Sequence, residues 1–228
     1  MNADADIHKL LKPVRLITHS CVRLEASDGF VVYVDPYDVP DEPHDADVVL
    51  VTHDHYDHFS PEDIAKVSKP GTRVGTPEST AKDAAALPDV ETFVLAIGDS
   101  VALSDTVSVE TVPSYNIGKK FHPKANGWLG YIVSVDGKLY FHMGDTDQNP
   151  DNEHVDCDVL LIPVGGTYTM NVDEAVTCAL SVVPTVAVPM HYGTVAGDAD
   201  CGKRFADELA ACQVGIASPI ASAVIMGE

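Results

Sequence analysis

What this 228-residue chain lacks narrows its role before any motif is read. No stretch approaches the roughly 18 uninterrupted apolar residues a membrane helix needs. The N-terminus from Met1 to Arg15 scatters charge through its length, unlike a secretory signal. Basic residues are scarce: 14 Lys plus Arg stand against 35 Asp plus Glu, for a net charge of −21. A field of that sign repels phosphate backbones and anionic lipid, so nucleic-acid and membrane-surface partners are disfavoured. Most of the acidity reads as a solvated shell, since metal ligation would use only a few carboxylates. The cysteines are five, Cys21, Cys157, Cys178, Cys201 and Cys212, widely separated and without a CxxC pair. Neither a zinc knuckle nor a disulfide framework is indicated, and they read as small apolar fillers in a reducing compartment. A Walker lysine and a Gly-x-Ser-x-Gly elbow are also missing, which argues against P-loop nucleotide binding and serine nucleophiles. No linker, low-complexity tract or short-period repeat divides the chain. The expectation is a soluble, cytoplasmic protein of one domain, residues 1–228.

What is present is an alternation of short β-rich runs with helical segments. Strands are expected at Phe30–Val34, Val48–Val51, Val107–Val112, Leu129–Val135, Leu139–Met143, Val159–Pro163 and Val186–Pro189. Asp136-Gly137 between two of them carries the strongest hairpin signal. Helices are expected at Pro61–Val67, Ser79–Leu87, Asp173–Val182 and Gly202–Cys212. Ser60-Pro61-Glu62-Asp63 offers a hydroxyl cap, a first-turn proline and a carboxylate near the positive helix end. Asn171 followed by Glu174 resembles a capping box. Hairpins mixed with βα units predict an α/β sandwich, with helices outside two packed sheets.

The chemistry concentrates after one apolar strand, in Thr52-His53-Asp54-His55-Tyr56-Asp57-His58. In extended backbone His53 and His55 point to one side and Asp54 to the other. The chain then turns toward a capped helix, which lets Asp57 and His58 approach from a second direction. Such an arrangement can serve two adjacent metal ions. A polar strand-to-helix turn would account for some of these residues, but three imidazoles and a carboxylate exceed what a turn requires.

In this context the chain resembles the metallo-β-lactamase superfamily, whose His-x-His-x-Asp-His signature is matched by His53, His55, Asp57 and His58. Asp35-Pro36 resembles the family's early Asp-Pro step, and Gly144-Asp145-Thr146 its Gly-Asp-Thr step. His191 in Pro189-Met190-His191-Tyr192-Gly193 matches the late histidine. The likeness is to the small, uncharacterised metal-dependent hydrolases and the lactonase-like branch, not to the antibiotic-degrading enzymes. It implies a four-layer αββα sandwich, with Asp145 bridging two ions and both Asp57 and Asp145 at the catalytic centre. His53, His55 and a third histidine would hold one ion; Asp57, His58 and His191 would hold the other. The third histidine departs from the pattern. The loop Val112–Lys124 contains only His122, readable either as a ligand or as a surface or substrate-facing imidazole.

Asp35 is expected to orient a ligand rather than touch metal. His19 and His142 are read as structural; His8, His44 and His154 as exposed. Tyr115, Lys120 and Tyr192 are candidates for substrate contact. Gly165-Gly166 is readable as a tight turn or an anion cradle. The resulting expectation is hydrolysis of an ester, lactone or phosphoester in a small-molecule substrate. One or two divalent ions would serve, zinc first, manganese or iron also suiting such ligands. An iron-dependent redox enzyme and a non-catalytic metal-dependent binding module are the alternatives, and neither substrate nor oligomeric state is legible.

Overall fold

The computed structural model describes residues 3–218. Two six-stranded sheets divide the chain in sequence order. The first is built from β1 (Val14–Thr18), β2 (Cys21–Glu25), β3 (Val31–Val34), β4 (Ala46–Leu50), β5 (Ser68–Thr76) and β6 (Glu91–Val94), adjacent in that order. The second contains β7 (Ser100–Ala102), β8 (Val107–Pro113), β9 (Leu129–Val135), β10 (Lys138–His142), β11 (Val159–Pro163) and β12 (Val186–Met190), ordered β12-β11-β10-β9-β8-β7. Five helices accompany them: α1 (Ala3–Leu11), α2 (Pro61–Val67), α3 (Glu78–Ala84), α4 (Val172–Val182) and α5 (Cys201–Ala211).

The period-2 alternation of strand side chains builds the layers. Val32, Val34, Val48 and Leu50 face Val109, Tyr131, Val133, Val159 and Leu161 in the core between the sheets. Their neighbours turn outward: Tyr33, Val49 and Val51 pack with Ile64 and Val67 of α2. Leu160 and Ile162 pack with Ala175 and Ala179 of α4 and with Phe205 and Leu209 of α5. Strands buried on both faces therefore read as continuous apolar runs, which is the pattern of β11 and of the edge strand β12. These are the layers of an αββα sandwich.

The expected elements form: α2, β9 and β11 at the expected bounds, the others with an end shifted by at most three residues. The β9–β10 hairpin pairs Val135 with Lys138, and Asp136 and Gly137 both take positive φ, 51° and 76°, as a type I′ turn requires. Ser60 caps α2, and Asn171 with Glu174 closes a reciprocal capping box on α4. Six elements went unanticipated: α1, β1, β2, β5, β6 and β7. β5 holds Pro70 and Gly71, and β6 is largely exposed, so neither shows a clean period.

The two sheets are bonded to each other at one end. The Leu129 N–H donates to the Thr52 carbonyl, the Tyr131 hydroxyl to Val51, and the His191 N–H to His19. His142 Nε2 donates to the Ser20 carbonyl at 2.8 Å. That stitched end is where the chemistry lies.

Candidate metal centre

Each donor follows the carboxyl end of a strand, where the backbone leaves the ladder and side chains can converge. His19 follows β1, Asp35 follows β3 and the His53–His58 segment follows β4. The loop after β8 carries His122, Asp145 lies beyond β10, and His191 follows β12 directly. Four of these residues, His19, Asp35, His122 and His191, have left-handed backbones with φ between 48° and 57°. For a residue with a Cβ this conformation costs of order 1–3 kcal/mol and gathers at functional sites.

The side chains form two clusters of four potential ligands. His53, His55, His122 and Asp145 make one; His19, Asp57, His58 and His191 make the other. In the first, His53 Nε2 lies 3.1 Å from His55 Nδ1, and His122 Nε2 lies 3.1 Å from Asp145 Oδ2. In the second, Asp57 Oδ2 is 3.1 Å from His19 Nε2 and 3.6 Å from His58 Nε2. Asp145 joins them: Oδ2 also lies 3.0 Å from His191 Nε2, and Oδ1 lies 3.3 Å from His58 Nε2.

The donor chemistry fits divalent transition-metal ions. His58 Nε2, both ring nitrogens of His191 and Asp145 Oδ1 are buried without a hydrogen-bond partner among the described residues. Buried polar atoms without partners carry a desolvation cost, which a cation facing His58 Nε2, His191 Nε2 and Asp145 Oδ1 would offset.

Partners behind the donors fix their orientation. His58 Nδ1 donates to Asp35 Oδ2 at 2.7 Å, leaving Nε2 to face Asp57 and Asp145. Asp35 is fully buried, and its Oδ1 also accepts the Thr52 N–H at 2.8 Å. His122 Nδ1 donates to the Tyr168 carbonyl at 3.1 Å. His142 bridges the two backbones beside the centre, accepting the Gly144 N–H while donating to Ser20. Trp128 lies against His53, His55 and His122, with ring centroids 4.7, 5.0 and 5.3 Å away, and shields that cluster.

The electrostatics follow from burial and crowding. Burial, then the nearby His58, holds the His53 imidazole well below its ordinary range, so it stays neutral and able to ligate. Burial and His122 lower His55 in the same sense. Burial would raise the Asp145 carboxyl, but His191 and His58 outweigh it and hold the group ionised. Burial likewise opposes protonation of His58, while Asp145 and Asp35 prevail and raise it in the metal-free protein. A bound cation would compete with that proton.

Against expectation, the structure places His19 within the second cluster rather than in a purely structural role. Its one sequence signal is a histidine at the end of a short apolar run, Leu16-Ile17-Thr18-His19. The cross-sheet bond to His191 brings it to the centre. His122 stands among the four side chains of the first cluster. Two proposed substrate contacts are not brought to the centre. The Tyr115 hydroxyl is committed to Asp151 at 2.8 Å, and the Tyr192 ring is wedged against α5, where a Cβ on Gly202 would meet its hydroxyl at 2.2 Å. Lys120 is exposed, its ammonium 5.8 Å from the Phe121 ring centroid. Gly165 serves close approach rather than an anion cradle: a Cβ there would stand 2.2 Å from the His191 carbonyl oxygen. Asp54, His8, His44 and His154 are exposed and outside both clusters.

The beta-lactamase superfamily domain profile matches residues 13–191 of this chain. A UPF0173 protein of Pyrococcus abyssi is 31% identical over 191 residues, spanning 78% of this chain and 82% of its own length. A UPF0173 metal-dependent hydrolase of Pyrobaculum calidifontis is 34% identical over 152 residues, or 64% of this chain and 65% of that protein. Among solved structures, a candidate metal-dependent hydrolase of Parabacteroides distasonis superposes with a TM-score of 0.73 at 28% identity, covering 90% of each chain. With the sandwich, the signature segment and the profile in agreement, the chain belongs to the beta-lactamase superfamily, beside relatives that bear the name metal-dependent hydrolase.

Proposed function

We propose that this protein, by family a metal-dependent hydrolase, cleaves an ester, lactone or phosphoester bond of a small molecule at a centre holding two divalent ions. One observation carries the reading: two four-donor clusters share the Asp145 carboxylate, each of whose oxygens faces a histidine of the second cluster. Divalent ions bound there would lower the pKa of water from 15.7 to about 7 and so supply hydroxide at neutral pH.

The chain's own residues do the rest. His53, His55 and His122 would hold one ion; His19, Asp57, His58 and His191 would hold the other. Asp145, whose oxygens meet His122 of one cluster and His58 and His191 of the other, would contribute to both. Asp35 holds the His58 ring so that Nε2 stays available, and Trp128 limits water on one flank. Imidazole-rich sites with two carboxylates suit zinc, and also manganese or iron. The acidic surface disfavours nucleic acid and leaves a small, uncharged or weakly charged molecule as the substrate, in the cytoplasm.

The test is to purify the protein without chelator, count bound metals, and reload it with zinc or manganese. Phenyl acetate, simple lactones and bis-p-nitrophenyl phosphate are then offered, with oxygen uptake followed in parallel. Turnover of at least one of them, lost with most of the metal in a folded Asp145→Ala variant, is expected. Oxygen consumption by an iron-loaded protein without hydrolysis would assign a redox role. No turnover of any substrate in a fully loaded protein would reject hydrolysis.

A further inference from the structure

Nearly all aromatic rings of this chain turn inward, and the two that do not both adjoin the metal centre. Among the described residues, Tyr56 and Phe121 are the exposed large aromatics, at 66% and 40% of full exposure. Tyr56 lies between His55 and Asp57 in the chain; Phe121 directly precedes His122. An occupant that covered both rings would gain about 25 cal/mol for each Å² taken from water.

Each ring is braced by a half-buried tyrosine that reaches back to the centre. Tyr56 meets Tyr37 edge-on, with centroids 5.9 Å apart at 74°, and Tyr37 lies 6.0 Å from His19. Phe121 meets Tyr168 at 4.9 Å and 90°, and the Tyr168 carbonyl accepts the His122 ring N–H. One pair thus stands beside the second donor cluster and the other beside the first, with Asp145 between the clusters. Edge-on pairing holds a ring rigidly while leaving it a face for a third partner.

We propose that the two pairs are aromatic walls that receive a planar, unsaturated group of the substrate, such as the aryl part of an aryl ester or an aryl-substituted lactone. The proposal rests on the hydrolytic reading above. A flexible alkyl chain would be served by a continuous apolar tunnel. Here the walls are separated by polar donor side chains, and the Lys120 ammonium lies near one of them. A rigid flat group loses little entropy on meeting aromatic rings beside the donors. It presents its reacting bond to the donors between them.

The test compares pairs matched in leaving-group basicity and differing in aromaticity: benzyl with cyclohexylmethyl acetate for turnover, and benzoate with cyclohexanecarboxylate for calorimetric binding, on the manganese-loaded protein. The expected result is a preference for the aryl member of about five-fold or more in both measurements. The preference should collapse toward unity in a Tyr56→Leu, Phe121→Leu double variant, which keeps apolar volume and removes the rings. Retained metal content and thermal midpoint would show that this variant is folded. Equal binding of the two carboxylates to the unmodified protein overturns the proposal, as does a preference that survives the double variant. A ring-dependent benzoate preference without hydrolysis of any substrate would uphold the walls while rejecting the hydrolytic reading.

Discussion

Asp35 shows how much a single residue outside the donor set can decide. Its carboxylate is fully buried and binds His58 Nδ1, the Thr52 N–H and the Thr52 hydroxyl. An Asp35→Asn variant keeps the volume but loses the charge that orients His58. Metal affinity should fall about 10–100-fold, as is typical for such supporting partners. Metal titration under chelator competition reads this directly; an unchanged affinity would show that His58 needs no such hold. The thiols give a second residue-scale test. Burial pushes Cys21, Cys157 and Cys178 up to about 12 from 9.0, so each favours its neutral form in the fold. That contribution is complete below 9.0 and shrinks as pH climbs toward 12, because the unfolded chain ionises first. The urea midpoint should therefore decline above pH 9.0, and a disulfide reagent should label exposed Cys212 rapidly and those three slowly. Rapid labelling of Cys21 in the native protein would contradict its burial.

At the scale of elements, α2 is the bracket that sets the angle of the signature segment. Ser60 caps it, but Asp63 does more. Its carboxylate accepts the N–H groups of Asp38 and Val39 and the Ser60 hydroxyl, and pairs with Lys66 at 2.9 Å. Burial raises this carboxyl, yet Lys66, Ser60 and the two N–H donors together lower it below 3.8. Its stabilising effect is present above 3.8 and is lost as pH falls through the lower folded-state value. Asp63→Ala leaves two backbone donors unpaired and should cost about 2 kcal/mol, visible in chemical denaturation at neutral pH and diminished in acid. A cost that persists undiminished in acid would mean the carboxylate's charge is not what holds the loop. The capped helices, the Asp-Gly hairpin and the continuous apolar runs of β11 and β12 were legible because their signals are local. β5 was hidden by Pro70 and Gly71, β7 by its three-residue length, and α1 by its mixed polarity. Their pairing comes from neighbouring strands rather than from their own pattern.

For the whole molecule, the metal centre lies where two sheets are bonded together, so occupancy and stability should be linked. The orphaned acceptors and left-handed backbones store cost in the metal-free fold. Each ion at about 100-fold above its dissociation constant would add roughly 2.7 kcal/mol, or about 5–10 °C in midpoint per ion for a chain this size. Calorimetry with and without a strong chelator measures the difference. A chelator that strips all metal and leaves the midpoint unmoved would separate the centre from the fold's stability.

Local residue order was enough to set the signature segment, the hairpin and the caps, since each depends on neighbours within a few positions, and the alternation of hairpins with βα units pointed to the sandwich. His53, His55, Asp57 and His58 were readable together for the same reason. His19 was read as structural and His122 as either ligand or surface imidazole, because a donor's role depends on which strand ends meet. His19 reaches the second cluster only through the β1–β12 contact across sheets. His122 reaches the first only because a left-handed turn and the Tyr168 carbonyl aim its ring inward. Which side chains share a cation is a matter of distances across the interface between sheets, and only the tertiary structure decided that.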